Sequence, residues 1–314
     1  MTLDPSRLRP ATRLVHGGVQ RTHHGETAEA LFLTSGYVYD DAEQAEATFA
    51  GTVDHYQYSR FANPTLTMLE QRLALIEGAE DCRTTATGMA AVNAALLSHL
   101  KTGDRVVAAR ALFGSCHWIV STLLPKFGIE TVFVDGSDLN QWTEALSRPT
   151  NLVLLESPSN PMLELVDLPA VADLAHKAGA IVVVDNVFAT PLLQQPLKLG
   201  ADVVVYSCTK HMDGQGRVLG GAVLGTKKWI ADVLQPFIRN TGPALSPVQR
   251  VGSAERHRDA CPAGQCRQRG RGRAGGFPGR TARRHPRLVS DARRPPAARP
   301  GVEANDRGWN GRDV

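Results

Sequence analysis

Asp202 to Arg217 reads DVVVYSCTKHMDGQGR, an apolar β-branched run that gives way to hydroxyls and a lysine. The run Val203 to Val205 predicts a buried strand, and such a strand delivers Ser207, Thr209 and Lys210 together at its carboxyl end. Hydroxyls placed there can hold a phosphate beside an amine. A lysine at the end of a buried strand is costly unless it is used, and desolvation lowers the pKa of an amine, as a Schiff-base nucleophile requires. Standing alone, Lys210 is equally a surface lysine just past a strand.

Working outward, short β-branched runs recur at Arg105 to Ala108 (RVVA), Thr131 to Val134 (TVFV), Leu152 to Leu155 (LVLL) and Ile181 to Val184 (IVVV). Helical stretches such as Leu168 to Lys177 separate them. Nearly continuous apolar strands alternating with helices predict an α/β fold, a mainly parallel sheet covered on both faces. In such sheets ligands gather beyond the carboxyl ends of the strands. Asn63-Pro64 supplies a cap and a preset first turn. Leu66, Leu69, Leu73 and Ile76 then recur at helical spacing as far as Gly78, which predicts an amphipathic helix.

Several further segments carry polar groups toward that edge. Ile181 to Pro191 (IVVVDNVFATP) places Asp185 at the end of an apolar strand, where an unpaired carboxylate should face a cation or a protonated ring nitrogen. Alone it is equally a helix cap or a metal ligand. In Thr85 to Ala91 (TATGMAA), Gly88 opens a small-residue helix whose first amides, at Gly88 and Met89, suit an anion; small residues there also simply permit close helix packing. Tyr56 to Thr65 (YQYSRFANPT) puts Tyr58 and Arg60 on one side of an extended segment, both able to bond phosphate or merely exposed. Phe113 in ALFGS follows a strand, where its ring can stack on a cofactor or join the core. Asn160 in Glu156 to Pro161 (ESPSNP) sits in a turn, free to bond a ring hydroxyl. Gly214, Gly216 and Gly220 lack the spacing of a dinucleotide fingerprint and are expected to form a flexible loop beside the lysine.

The 314 residues suffice for one large domain or two ordinary ones. Five cysteines without framework or metal-ligand spacing, and an amino terminus without a signal-like apolar stretch, lead to the expectation of a cytoplasmic protein without disulfides. No apolar run is long enough to span a bilayer, so no membrane partner is expected. Net charge divides sharply. From Val248 onward there are 16 Arg and 6 acidic residues, +10, which leaves 19 basic and 25 acidic residues, −6, in 1–247. Leu288 is the only Leu, Ile or Met in those last 67 residues, so the tail is expected to be disordered. An Arg/Gly-rich tail can grip nucleic acid, but aromatic residues for base stacking are not interleaved in it, which argues against that partner. Val248 to Ala260, written in permitted codons and read one base later, gives FNAWVLLKGIETL, an amphipathic helix. A frameshift near Pro247 is therefore the expected origin of the tail.

Taken together, YSRFANPT, ATGMAA, ESPSNP, VDNVFATP and YSCTKHMDGQGR make residues 12 to 247 resemble the Cys/Met-metabolism family of pyridoxal-phosphate enzymes. The resemblance implies an aspartate-aminotransferase-like, fold type I architecture. It divides the chain into an amino-terminal arm (1–60), a cofactor-binding large domain (61–247) and the tail (248–314). It also implies that Lys210 condenses with pyridoxal 5′-phosphate, that Asp185 pairs with the ring nitrogen, and that Phe113 stacks on the ring. Gly88, Met89, Ser207 and Thr209 would hold the phosphate, Asn160 would contact the ring hydroxyl, and Tyr58 and Arg60 would come from a neighbouring subunit of a homotetramer. Within the family the chain is most similar to sulfhydrylases of O-succinylhomoserine, on GETAEALFLTSGYVY, Phe113 and DGQGR. The implied reaction is γ-replacement with sulfide or cysteine in methionine biosynthesis. Cystathionine γ-synthase and methionine γ-lyase are the nearest alternatives, since cofactor motifs do not select the nucleophile. Nothing matching the family's smaller carboxyl-terminal domain follows Pro247. The chain is therefore expected to lack the arginine that grips the substrate carboxylate, and to be a poorly active or nonfunctional fragment.

Overall fold

The computed structural model describes residues 8–214 and 216–249. The expectations for the tail, namely its disorder, its shifted frame and the missing smaller domain, fall on residues outside the described ones from 250 onward. Among the described residues seven strands form one sheet: β1 (Asp81–Thr85), β2 (Arg105–Ala109), β3 (Glu130–Val134), β4 (Leu152–Glu156), β5 (Ile181–Asp185), β6 (Val203–Ser207) and β7 (Gly221–Gly225). Their order is β1-β7-β6-β5-β4-β2-β3. The strands from β3 to β6 are mutually parallel, as the apolar runs predict. β7 runs antiparallel to both β6 and β1. Two reversals cancel, so β1 points the same way as β6, and the carboxyl ends of β1, β2, β4, β5 and β6 share one edge.

The topology marks one place on that edge. β2 has β3 on one side and β4 on the other, so consecutive connections part between β2 and β4 and leave a crevice. Ligands in open α/β sheets settle at such a point.

Helices cover both faces. After two short helices, α1 (Pro10–His16) and α2 (Ala42–Phe49), comes α3 (Pro64–Glu77), capped by Asn63, whose side chain accepts from the Thr65 amide at 2.8 Å. α4 (Gly88–Leu97) is capped by Thr87 Oγ1, which accepts from the Ala90 amide at 3.0 Å. The next helices are α5 (Gly114–Trp118), α6 (Leu124–Lys126), α7 (Leu139–Ala145) and α8 (Leu168–Lys177). Alternate strand residues serve opposite layers. Val153 and Leu155 pack with Leu69, Leu73, Trp142 and Val171 on one face, and Leu152 and Leu154 with Val92 and Leu96 on the other. Each such aliphatic side chain, fully buried, contributes about 1.5–3 kcal/mol. A polar chain ties α3 to the site strands: the Tyr206 hydroxyl donates to buried Glu77 and accepts from Asn186 Nδ2 at 2.7 Å, one residue beyond Asp185. Cys82, Cys116 and Cys208 are buried free thiols. No helix among the described residues is long and apolar enough to cross a membrane.

Candidate active site

A cavity of about 560 Å³ opens at the shared carboxyl edge. Gly88, Met89, Phe113, Asn160, Asp185, Ser207, Thr209 and Lys210 all line it. Residues drawn from four strand ends and one helix start are thus brought together as the sequence suggested.

The amino end of α4 offers the cavity groups suited to an anion. The first amides of a helix have no intrahelical acceptor, and here they belong to Gly88 and Met89. A Cβ at position 88 would lie 2.6 Å from the Ser207 Cβ and 2.8 Å from its Oγ, so only glycine lets the helix start press against the end of β6. That close approach sets the Ser207 hydroxyl beside the positive end of α4. Thr209 Oγ1 is joined to the Gly220 backbone, accepting from its amide at 3.1 Å. Gly220 is thereby held at the site rather than lying in a loose loop, while Gly214 and Gly216 take positive φ, 66° and 70°.

Lys210 lies three residues past β6, in a π-helical turn (Cys208–Met212) whose regular geometry it interrupts with ψ −110°. Of the two readings of Lys210, buried at a strand end or exposed just past it, the chain adopts the second, and the exposed side chain lines the cavity. The strand ends at Ser207, and the turn that follows carries the chain outward to Lys210.

Two carboxylates close the floor. Asp185 ends β5, is 8% exposed and accepts from the Val187 amide at 3.1 Å. Burial, opposed by that one bond, pushes it up to about 6. Beside it in register, Glu156 ends β4. Burial and the neighbouring Asp185 push Glu156 up to about 7, against the pull of amide bonds from Phe113 and Asn160. In the sequence Glu156 reads as the start of the ESPSNP turn. The signal was present, since it closes the LVLL run as Asp185 closes IVVV.

Phe113 precedes α5 and is 44% exposed at the cavity, so the core alternative does not hold. Asn160 is exposed in the turn after β4. Tyr58 and Arg60 do not line the cavity of their own chain. Their segment is not extended throughout, because the Phe61 amide bonds back to the Tyr58 carbonyl at 2.8 Å and makes a turn. The Arg60 guanidinium lies 5.4 Å from the centroid of the Tyr58 ring and bonds the Arg239 carbonyl.

The donor set fits pyridoxal 5′-phosphate. An under-compensated buried carboxylate suits a protonated ring nitrogen, a helix start with a serine hydroxyl suits a phosphate, and an amine lines the same space. A mostly parallel, doubly covered sheet with this set at its carboxyl edge defines the class of pyridoxal-phosphate enzymes of fold type I. The model of the Cys/Met-metabolism PLP-dependent enzyme family matches residues 11–251, and the chain belongs to that family. O-succinylhomoserine sulfhydrylase of Mycobacterium tuberculosis H37Rv is 60% identical over 242 residues, covering 77% of this chain and 60% of that protein. L-methionine gamma-lyase of Fusobacterium nucleatum subsp. polymorphum is 42% identical over 240 residues, covering 75% of this chain and 60% of that protein. A solved structure from Campylobacter jejuni, which carries N'-pyridoxyl-lysine-5'-monophosphate, matches with a TM-score of 0.77 at 27% identity, covering 81% of this chain and 71% of that one. The chain spans about 60% of the length of these curated relatives.

Proposed function

We propose that the chain carries the cofactor site of a sulfhydrylase that replaces the γ-substituent of an O-acylated homoserine, converting O-succinylhomoserine and sulfide to homocysteine and succinate. The observation that carries this reading is the shared cavity of Lys210 and Asp185. The 60% identity to a sulfhydrylase supports the choice of substrate. Bound pyridoxal 5′-phosphate would supply an electron sink for charge developing at the substrate Cα. Asp185 would keep the ring nitrogen protonated, and Phe113 and Asn160 would orient the ring. Gly88, Met89, Ser207 and Thr209 would hold the phosphate. Lys210 would anchor the aldehyde, then take and return protons at Cα and Cβ while succinate leaves and sulfide adds at Cγ. Tyr58 and Arg60, outside the cavity of their own chain, would reach the phosphate of a second copy in a homo-oligomer. None of the described residues lining the cavity is an arginine. The 42% identity to a methionine γ-lyase supports a second reading, elimination from Cγ without a replacing nucleophile.

Purified 314-residue chain incubated with pyridoxal 5′-phosphate should absorb visible light, and borohydride should fix the cofactor mass on the peptide containing Lys210. A folded, colourless preparation without that adduct would overturn the proposal. Homocysteine appearing from O-succinylhomoserine only when sulfide is supplied separates the sulfhydrylase from the lyase.

A further inference from the structure

Glu156 has a cost and a use. It is 5% exposed and stands in register beside another buried carboxylate, Asp185. Two buried like charges on adjacent strands oppose each other, and a neutral side chain of similar size would remove that penalty. What the carboxylate gains is a pair of amide bonds from opposite sides of the crevice. Oε2 accepts from the Phe113 amide at 2.6 Å, and Oε1 accepts from the Asn160 amide at 3.0 Å. Phe113 stands in the loop that leaves β2 and Asn160 in the turn that leaves β4, the two strands between which the sheet's connections part. Both residues are exposed at the cavity, so their orientation depends on how their backbones are tied. A carboxylate offers one oxygen to each amide. A glutamine offers a single oxygen and sets its own NH2 against the other donor.

We propose that Glu156 is a positioning residue, whose two carboxylate oxygens tie the loop after β2 to the turn after β4 and so fix Phe113 and Asn160 at the cavity. This role rests on the reading above, in which those two residues meet the cofactor ring, but the tie itself is a property of the chain alone.

Amide hydrogen exchange in the cofactor-free, full-length chain tests the tie. In the unsubstituted chain the Phe113 and Asn160 amides should exchange slowly. Glu156→Gln should speed at least one of them about tenfold, as expected for loss of one acceptor oxygen, and Glu156→Ala should speed both. The Val153 to Leu155 amides of β4 should not change. A titration with pyridoxal 5′-phosphate then tests positioning. Affinity should fall about tenfold in Glu156→Gln, with a shifted visible absorbance maximum. Fast exchange of both amides in the unsubstituted chain overturns the tie, and needs no variant to fold. Variants that bind the cofactor with unchanged affinity and absorbance overturn the positioning role. If the unsubstituted chain binds no cofactor, the reading of function and the positioning role fall together, and slow exchange still supports the tie.

Discussion

Asp185 accepts one backbone amide bond within the chain, which does not offset its burial. The consequence is a pH dependence with a definite sign. With its carboxyl raised to about 6, the folded cofactor-free chain keeps a proton that the unfolded chain, with an ordinary carboxylate near 3.8, has released. The Asp185 contribution to stability should therefore fall as pH rises from about 4 to about 6, by on the order of 2–3 kcal/mol, and level off above that window. Asp185→Asn removes this titration, so its melting midpoint should gain on the unsubstituted chain across the window. A constant offset between the two would mean that Asp185 ionises normally. The same substitution should cut cofactor affinity, measurable by the same titration as for Glu156. Asp185 was legible in the sequence because a strand that ends in a carboxylate has to compensate it. Glu156 ends its strand in the same way but was absorbed into a turn motif, and only the register of β4 against β5 shows that the two acids are neighbours.

At the scale of elements, the start of α4 and the end of β6 form one unit through Gly88 and Ser207. Gly88→Ala would force a Cβ into contact with Ser207 and push the helix start away, destabilising the chain by about 1–3 kcal/mol. Cofactor affinity should fall with it, and Ser207→Gly in the same chain should restore part of the stability in thermal melts. No recovery in the double variant would place the strain elsewhere. The helices were readable where caps and spacing agreed, as at Asn63-Pro64 for α3 and over Leu168–Lys177 for α8. So were the five parallel strands. β1 (DCRTT) and β7 (GAVLG) were not, because the first is largely polar and the second is bounded by glycine at both ends. Among the described strands β1 pairs only with β7, across about 140 residues of sequence, and β7 joins it to β6, tertiary contacts no local propensity records.

For the whole molecule, the amino-terminal segment exposes large apolar side chains, with Leu33 61%, Val38 89% and Phe49 68% exposed. A homo-oligomer that places Tyr58 and Arg60 at a second copy's phosphate would cover such a surface. Sedimentation should show an assembly larger than a monomer, Phe49→Asp should weaken it, and Arg60→Ala should lower cofactor affinity several-fold without changing the assembly. A monomeric chain that binds the cofactor tightly would remove Tyr58 and Arg60 from the site. The parallel layers followed from periodicity alone, whereas the position of these two residues relative to a cavity did not, because it depends on a turn at Ser59–Phe61 that the polar spacing conceals.

The reversal at β7 also sets an order of assembly during synthesis. β1 is held in the sheet by β7, and the latter is completed only at Gly225. A nascent chain therefore emerges with β1 unpaired while more than a hundred further residues are translated, and the site should not capture the vitamin until that last strand clears the ribosome. Stalled chains ending before Gly221 should leave the labelled vitamin in solution, and those long enough to expose Gly225 should retain it.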